Sequence, residues 1–212
     1  MKNTIKTLLV LVVVAAITAF TVAPDKGGYE VGDEASDFKL ENIDGKMVSM
    51  SDYASAKGFV IVFTCNTCPY SVANEDRIIA LDKKYKEKGY PVIAINPNDP
   101  AAVPADSKAA MKVRAKQKGF TFPYLFNAGQ KVYPKYGATR TPHVYILSNN
   151  KGKYTVEYIG AIDDSSRDPD SVKEKFAENA IDALLAGKKP EKTYTRAIGC
   201  SIKTVGKKSR VN

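Results

Sequence analysis

The pattern of hydrophobic positions predicts strands that alternate with helices. Residues 58–64 form a β-branched and aromatic run without polar alternation, which is typical of a strand buried on both faces of a sheet. In residues 69–88, by contrast, apolar side chains recur at helical spacing among charged ones. The sequence therefore predicts a buried strand followed by an amphipathic helix, with Cys65 and Cys68 at the junction between them.

The same alternation continues toward the C-terminus. Further strands are predicted at 91–95, 143–147 and 154–159, and further helices at 106–118 and 168–185. Before them, residues 38–50 read as two short strands around an Asp44-Gly45 turn, which predicts a hairpin. Alternating strands and helices that end in two consecutive strands favour an α/β fold with a mixed sheet.

The first 23 residues have the composition of an export signal. Lys2 and Lys6 precede an uncharged, largely apolar run at 7–23. We therefore expect an exported protein of the periplasm or cell envelope. The alternative is an uncleaved N-terminal anchor, because the run approaches the roughly 18 to 20 apolar residues that a membrane span needs. Such an anchor would be the protein's only membrane contact.

The length of the chain favours a single domain. The polar, glycine-containing stretch 24–30 is interpreted as a linker, 31–190 as one redox domain, and 191–212 as a basic C-terminal tail. The formal net charge is +9, but lysine and arginine are dispersed rather than gathered in one stripe. Nucleic acid is therefore not an expected partner.

The chain has three cysteines, and two of them are separated by only two residues. Free N–H groups and the positive end of the helix dipole favour a thiolate at a helix N-terminus. On this basis we expect Cys65 to be the reactive thiol and Cys68, one helical turn further on, to be the resolving thiol. Pro69 suits the first turn of the helix, where a missing N–H costs nothing.

Two other interpretations of the pair remain open at this point. The cysteines could form a purely structural disulfide, as exported proteins often contain. They could also be half of a zinc site, but a closed zinc site needs four ligands and only Cys200 and His143 remain. A lone histidine at the start of an apolar strand is more often a buried, hydrogen-bonded side chain. We therefore predict no metal and no cofactor.

Four motifs, taken in order, resemble the thioredoxin superfamily and within it the peroxiredoxin-like (AhpC/TSA, redoxin) branch that carries Cys-x-x-Cys. The resemblance covers about residues 31–185 and implies a thioredoxin fold, a central mixed sheet flanked by helices, here with an N-terminal β-hairpin extension. The motifs are Phe-Thr-Cys-Asn-Thr-Cys-Pro-Tyr at 63–70, Phe-Pro-Tyr-Leu at 122–125, Lys-Tyr-Gly-Ala-Thr-Arg-Thr-Pro at 135–142, and Gly-Ala-Ile-Asp at 160–163.

The resemblance also implies site residues and partners. It implies a cis peptide bond before Pro142, with Thr141 exposing its backbone to a substrate that adds as a strand. Expected partners are protein or small-molecule disulfides and thiols, and a redox protein that donates or accepts electrons. Thr64 stands where thioredoxins have tryptophan. Thioredoxins also bury an acid below the cysteines, but residues 58–64 contain none, so the sequence identifies no proton acceptor.

Three functions are consistent with these residues. The first is a thiol-disulfide oxidoreductase that works through Cys65 and Cys68. The second is a thiol peroxidase with antioxidant activity, in which Cys68 aligns with the peroxide-attacking cysteine and Arg140 lies near the activating arginine. The third is a non-catalytic or copper-binding module that uses His143. Cys200 is either an unpaired thiol in the tail, or a second resolving cysteine or intermolecular bridge.

Overall fold

The structure is a computed structural model that describes residues 27–205. The predicted signal segment 1–23 lies outside these residues, as do 24–26 of the predicted linker and 206–212 of the predicted tail. Within residues 27–205, no helix is both long and apolar enough to cross a membrane. The division into linker, domain and tail stays a prediction.

An eight-stranded mixed sheet forms the centre of the molecule, in the order β1-β9-β8-β4-β5-β6-β2-β3. A separate two-stranded sheet joins β7 to β10. The strands are β1 (Glu34–Ala35), β2 (Leu40–Asn42), β3 (Met47–Val48), β4 (Gly58–Phe63), β5 (Val92–Asn96), β6 (Tyr124–Phe126), β7 (Arg140–Thr141), β8 (His143–Asn150), β9 (Lys153–Gly160) and β10 (Cys200–Ser201).

Strand β4 occupies a central position and is buried along its whole length. It pairs in parallel with β5 and antiparallel with β8, with Phe63 opposite His143. The predicted hairpin is also present, since β2 and β3 pair antiparallel with Leu40 opposite Val48. The predictions of a buried strand at the cysteines, an N-terminal hairpin and a mixed α/β sheet are confirmed.

Within residues 27–205, four α-helices flank the sheet: α1 (Pro69–Tyr85), α2 (Lys108–Lys118), α3 (Val132–Tyr136) and α4 (Phe176–Leu185). The predicted start of the last helix was wrong by eight residues. Asp168 accepts a hydrogen bond from the N–H of Asp170 and caps a short 3₁₀ turn instead. Val172 then has extended backbone angles (φ −69°, ψ 120°), which end that turn before α4 begins.

Hydrophobic side chains cover both faces of the sheet. Alternate residues of β4 point to opposite sides, as strand geometry requires. Val60 and Val62 pack in one cluster with Ile78 of α1 and Ile181 of α4. On the other face Phe59, Ile61 and Phe63 pack with Tyr136 of α3. Full burial of each large side chain contributes roughly 1.5–3 kcal/mol, so β4 and the loop that follows it are firmly held.

After α4 the chain returns along the sheet and passes beside the cysteines. Ile159 in β9 donates its N–H to the carbonyl of Thr193 and accepts from the N–H of Thr195, both at 3.0 Å. The chain then forms β10, which pairs antiparallel with β7. Residues 193–205, which we call the C-terminal segment, are thus packed against the domain.

Candidate active site

The junction between β4 and α1 places both cysteines on one short loop. Thr64 donates its N–H to the carbonyl of Ile95 at 3.0 Å, which keeps the chain in the sheet up to the first cysteine. Cys68 is the N-cap of α1 and Pro69 is the first residue of that helix. Both cysteines are free thiols, with only 3% of Cys65 and 4% of Cys68 exposed.

The loop that carries Pro142 faces the pair. The bond between Thr141 and Pro142 is cis, as the family resemblance implies. The Sγ of Cys65 lies 3.3 Å from the Thr141 hydroxyl oxygen, and the Sγ of Cys68 lies 3.1 Å from the Thr141 carbonyl oxygen. The structure therefore brings together four of the residues that the sequence singles out.

The two thiols differ strongly in their electrostatics. The Cys65 thiol and the backbone N–H groups of Ser71 and Cys200 interact with the sulfur of Cys68 and lower its pKa to about 4. The pKa of Cys65 is raised, first by its interaction with Cys68, then by burial and by the charge of Asp106. These shifts favour the thiolate form of Cys68 over that of Cys65.

From the sequence, Cys65 is expected to be the reactive thiol, and which sulfur attacks first stays a prediction. The expectation assumed that the helix N-terminus would favour the thiolate at Cys65. The structure begins α1 at Pro69 with Cys68 as its N-cap, so Cys68 is the cysteine at the helix end. The effect of the helix end falls off within one turn, and Cys65 lies in the loop before it.

The backbone of Thr141 is not exposed as expected. Thr141 is 1% exposed and pairs with Cys200 across the β7–β10 ladder. Gly199 packs directly on the same peptide, since a Cβ on Gly199 would lie 2.1 Å from the Thr141 carbonyl oxygen. The protein's own C-terminal segment thus occupies the edge at which we expected a substrate strand.

The third cysteine lies at the pair. The N–H of Cys200 donates to the Sγ of Cys68 at 3.3 Å, and the thiols of the two residues also interact. Burial and the neighbouring Cys68 raise the pKa of Cys200 to about 11. Three thiols are therefore gathered at one site, with Cys68 in contact with both of the others.

A buried carboxylate that the sequence analysis missed supports the loop between the cysteines. Asp106 is fully buried and accepts hydrogen bonds from the N–H of Asn66 at 2.7 Å and from the side chain of Asn98 at 2.7 Å. The Tyr124 hydroxyl donates to the Asn66 side chain at 3.0 Å. Asp106 opened a predicted helix, but Ser107 caps α2 instead, which leaves the carboxylate free to face the loop.

The remaining sequence candidates have other contacts. His143 is buried, which lowers its pKa to about 4, and its Nδ1 accepts the N–H of Thr139 at 3.5 Å. Arg140 is exposed and donates to the carbonyl of Gly199 at 3.4 Å. Within residues 27–205, no group of three or more His, Cys, Asp or Glu side chains is arranged to hold a metal ion. The structure therefore does not assemble the copper site considered for His143.

Comparison with known proteins gives a consistent result. The AhpC/TSA family profile matches residues 31–159. Thiol-disulfide oxidoreductase ResA of Bacillus anthracis is 26% identical over 157 residues, which cover 72% of this chain and 86% of that protein. ResA of Geobacillus kaustophilus is 26% identical over 151 residues, covering 68% of this chain and 80% of that protein.

Solved structures show the same architecture. An uncharacterized conserved protein from Geobacillus kaustophilus is 35% identical with a TM-score of 0.77, covering 84% of this chain and 94% of that one. A hypothetical protein from Sinorhizobium meliloti 1021 is 28% identical with a TM-score of 0.77, covering 84% and 97%. Peroxidoxin BcpB from Mycobacterium tuberculosis, at 18% identity and a TM-score of 0.51 over 61% and 83%, shares the fold.

Proposed function

The chain belongs to the AhpC/TSA family of the thioredoxin superfamily, and we propose that it is an extracytoplasmic thiol-disulfide oxidoreductase whose Cys65 and Cys68 cycle between dithiol and disulfide. The observation that carries the proposal is the pair itself, which lies between β4 and α1 with one stabilised thiolate and faces a cis proline. The names of the ResA relatives agree with this chemistry.

We propose that Cys68 makes the first attack, because the thiolate is the nucleophile in disulfide exchange and the pKa of Cys68 is the lowered one. The Cys68 thiolate attacks one sulfur of a substrate disulfide, and the other substrate sulfur leaves with the electron pair of the broken bond. Cys65 then loses its proton to the released sulfur or to solvent and attacks the Sγ of Cys68. The bond between Cys68 and the substrate breaks, and the second substrate sulfur leaves with its electron pair and takes up a proton. The products are a Cys65–Cys68 disulfide and a fully reduced substrate.

The substrate must be admitted by movement of the C-terminal segment. Both sulfurs are almost fully buried, and Cys200 covers the edge of β7 at Thr141. With that edge free, an extended peptide that carries a disulfide can pair with the Thr141 backbone, as strand addition requires. A dithiol from a redox partner, entering the same way, would reduce the Cys65–Cys68 disulfide and restore the enzyme.

The proposed location outside the cytoplasm is supported by the charge and hydrophobic pattern of residues 1–23. Its test is a fusion of residues 1–30 to a reporter enzyme that is active only after export. Reporter activity equal to that of a fusion without these residues would contradict the location, but not the chemistry.

Trapping the mixed disulfide tests the order of attack. In a Cys200→Ser background, Cys65→Ser should retain a substrate peptide on Cys68 after exposure to its disulfide, because no second thiol can release it. Cys68→Ser in the same background should retain much less at neutral pH, because burial and the charge of Asp106 still raise the pKa of the remaining thiol. Mass spectrometry of the intact chain measures both adducts. Retention by Cys68→Ser and not by Cys65→Ser would overturn the assignment.

A peroxidase activity is the second candidate, and the lowered pKa of Cys68 favours it. A peroxide would oxidise the Cys68 thiolate to a sulfenic acid, which Cys65 would condense with to form the same disulfide. Arg140, considered as an activating residue, donates to Gly199 in this structure. The test is thiol-dependent peroxide consumption. A rate no higher than that of a free thiol, together with normal disulfide reduction, would remove this candidate.

A further inference from the structure

The C-terminal segment docks as a peptide strand would. Strand β10 pairs antiparallel with β7, with Cys200 opposite Thr141 and Ser201 opposite Arg140. Gly199 lies so close to the Thr141 carbonyl that its approach requires the absence of a Cβ. The edge beside the cis proline is thus filled by a strand of this chain that carries a cysteine.

Hydrogen bonds on the far side of Cys200 fix the docked strand. Ile202 donates its N–H to the carbonyl of Thr139 at 3.4 Å. Lys203 donates its N–H to the Asn98 side chain at 2.9 Å and accepts from the N–H of Asp99 at 3.0 Å and from Gln130 Nε2 at 2.9 Å. These contacts determine the register of β10 and therefore which of its side chains faces the site.

That register directs Cys200 toward Cys68. The N–H of Cys200 lies 3.3 Å from the Sγ of Cys68, and the partner of Cys200 in the ladder, Thr141, has its carbonyl oxygen 3.1 Å from the same sulfur. Side chains alternate along a strand, and the next residue, Ser201, is exposed. Cys200 therefore lies on the side of β10 that faces Cys68, whereas Ser201 lies on the side that faces solvent.

We infer that Cys200 is a third redox-active cysteine, a second resolving thiol that forms a disulfide with Cys68 once Cys68 has attacked a substrate. This inference rests on the proposed function and adds an alternative to Cys65 for the second step. When the C-terminal segment docks again, Cys200 gives up its proton and attacks the Sγ of Cys68. The bond between Cys68 and the substrate breaks, a Cys68–Cys200 bond forms, and the substrate sulfur leaves with the electron pair and takes up a proton.

The same exchange can occur without substrate. In the Cys65–Cys68 disulfide form, attack of Cys200 on Cys68 releases Cys65 as a thiol and changes no net oxidation state. The oxidised protein then distributes between two disulfides that share Cys68. In one of these forms, a reducing partner would reduce the Cys68–Cys200 disulfide, which involves the C-terminal segment. In the other form, it would reduce the Cys65–Cys68 disulfide in the loop before α1.

Release of a trapped peptide is the experiment that tests Cys200. The full chain is prepared as Cys65→Ser and as Cys65→Ser with Cys200→Ser, and both are exposed to a peptide disulfide. The double variant should retain the peptide on Cys68. Cys65→Ser should release it, with at least about tenfold less adduct at the same time, a difference of about 1.4 kcal/mol. Peptide mapping should find an intramolecular Cys68–Cys200 link.

A displaced thiol provides the matched control. Adding Ser201→Cys to the double variant moves the third thiol by one residue, to the other side of β10, and the adduct should persist. Equal adduct in Cys65→Ser and the double variant would overturn the inference, as would release by the displaced thiol or a link only between two chains. In each of these cases, retention by the double variant shows that the proposed function stands. Its failure to retain peptide would overturn both.

Discussion

The pKa of each cysteine thiol in the pair depends on the groups that donate hydrogen bonds to its sulfur and on the charges near it. The Cys65 thiol is the largest cause of the lowered pKa of Cys68, and the N–H of Cys200 donates to the Sγ of Cys68 at 3.3 Å. The pKa of Cys65 is shifted in the opposite direction: its interaction with Cys68, its burial and the negative charge of Asp106 all raise it. A charge-assisted hydrogen bond favours the charged form of its acceptor. Two thiols three residues apart in sequence thereby acquire opposite pKa shifts.

Replacing the donor tests this account at the residue scale. In the reduced protein, Cys65→Ala removes the thiol that donates to Cys68, so the pKa of Cys68 should rise from about 4 by at least about 1 unit. Cys65→Ser is the control, because its hydroxyl can still donate and should keep more of the shift. Thiolate absorbance followed against pH measures both variants. An unchanged midpoint in Cys65→Ala would show that the helix end alone sets the pKa.

The same shift has a consequence for stability. The folded-state pKa of Cys68 lies below its ordinary value of 9.0, so ionisation of Cys68 stabilises the folded chain fully above about pH 9. That contribution is lost as the pH falls toward 4. In Cys65→Ala the folded-state pKa of Cys68 should be higher, so this stabilisation should be fully lost at a higher pH than in the native chain. Urea unfolding of the reduced protein across this range measures the difference in slope, and parallel curves for the two proteins would contradict the prediction.

At the scale of elements, the pairing of β7 with β10 controls access to the site. Each strand has two residues, and the ladder depends on the close contact of Gly199 with the Thr141 peptide. A larger residue at 199 cannot keep that contact without moving the C-terminal segment. A substitution at Gly199 can therefore test how the C-terminal segment controls access to the site without altering any thiol.

Gly199→Val should displace β10 and expose Cys200. The predicted overlap, with a Cβ 2.1 Å from the Thr141 carbonyl oxygen, costs about 1–3 kcal/mol when it is relieved by movement. Cys200 should then react with an alkylating agent about tenfold faster, since about 1.4 kcal/mol corresponds to tenfold. The control is Ser201→Val, at an exposed position of the same strand. Equal rates for Cys200 in Gly199→Val and in the native chain would contradict the docked arrangement.

Elements with a local signal could be predicted from the sequence, and those without one could not. The run of β4 and the helical spacing of α1 predicted the junction at Cys65 and Cys68, because each pattern lies within one segment. The β7–β10 pair has no periodicity in two residues per strand, and it joins positions about 60 apart. Asp106 was missed for the same reason, since only tertiary folding brings it to Asn66.

At the scale of the whole molecule, the C-terminal segment contacts the active-site loop and so joins two parts of the chain that are far apart in sequence. Cys68 and Cys200 are 132 residues apart along the chain, and between them lie four strands of the central sheet and all four of the described α-helices. A disulfide between them would link the start of α1 to β10 and enclose that structure in one covalent loop. A disulfide between Cys65 and Cys68 would enclose only the loop before α1. The two oxidised forms should therefore differ in global stability.

Unfolding of single-disulfide variants measures this difference. By loop-closure entropy, a bond that spans 132 residues stabilises by about 5 kcal/mol, and a bond across three residues by about 2 kcal/mol or less. Oxidised Cys65→Ser, which can form only Cys68–Cys200, should gain more free energy of unfolding over its reduced form than oxidised Cys200→Ser gains over its own. Urea titrations of the four samples give both gains. An equal or smaller gain in Cys65→Ser would mean that any bond to Cys200 strains the docked segment, because strain in the native state offsets the entropic term.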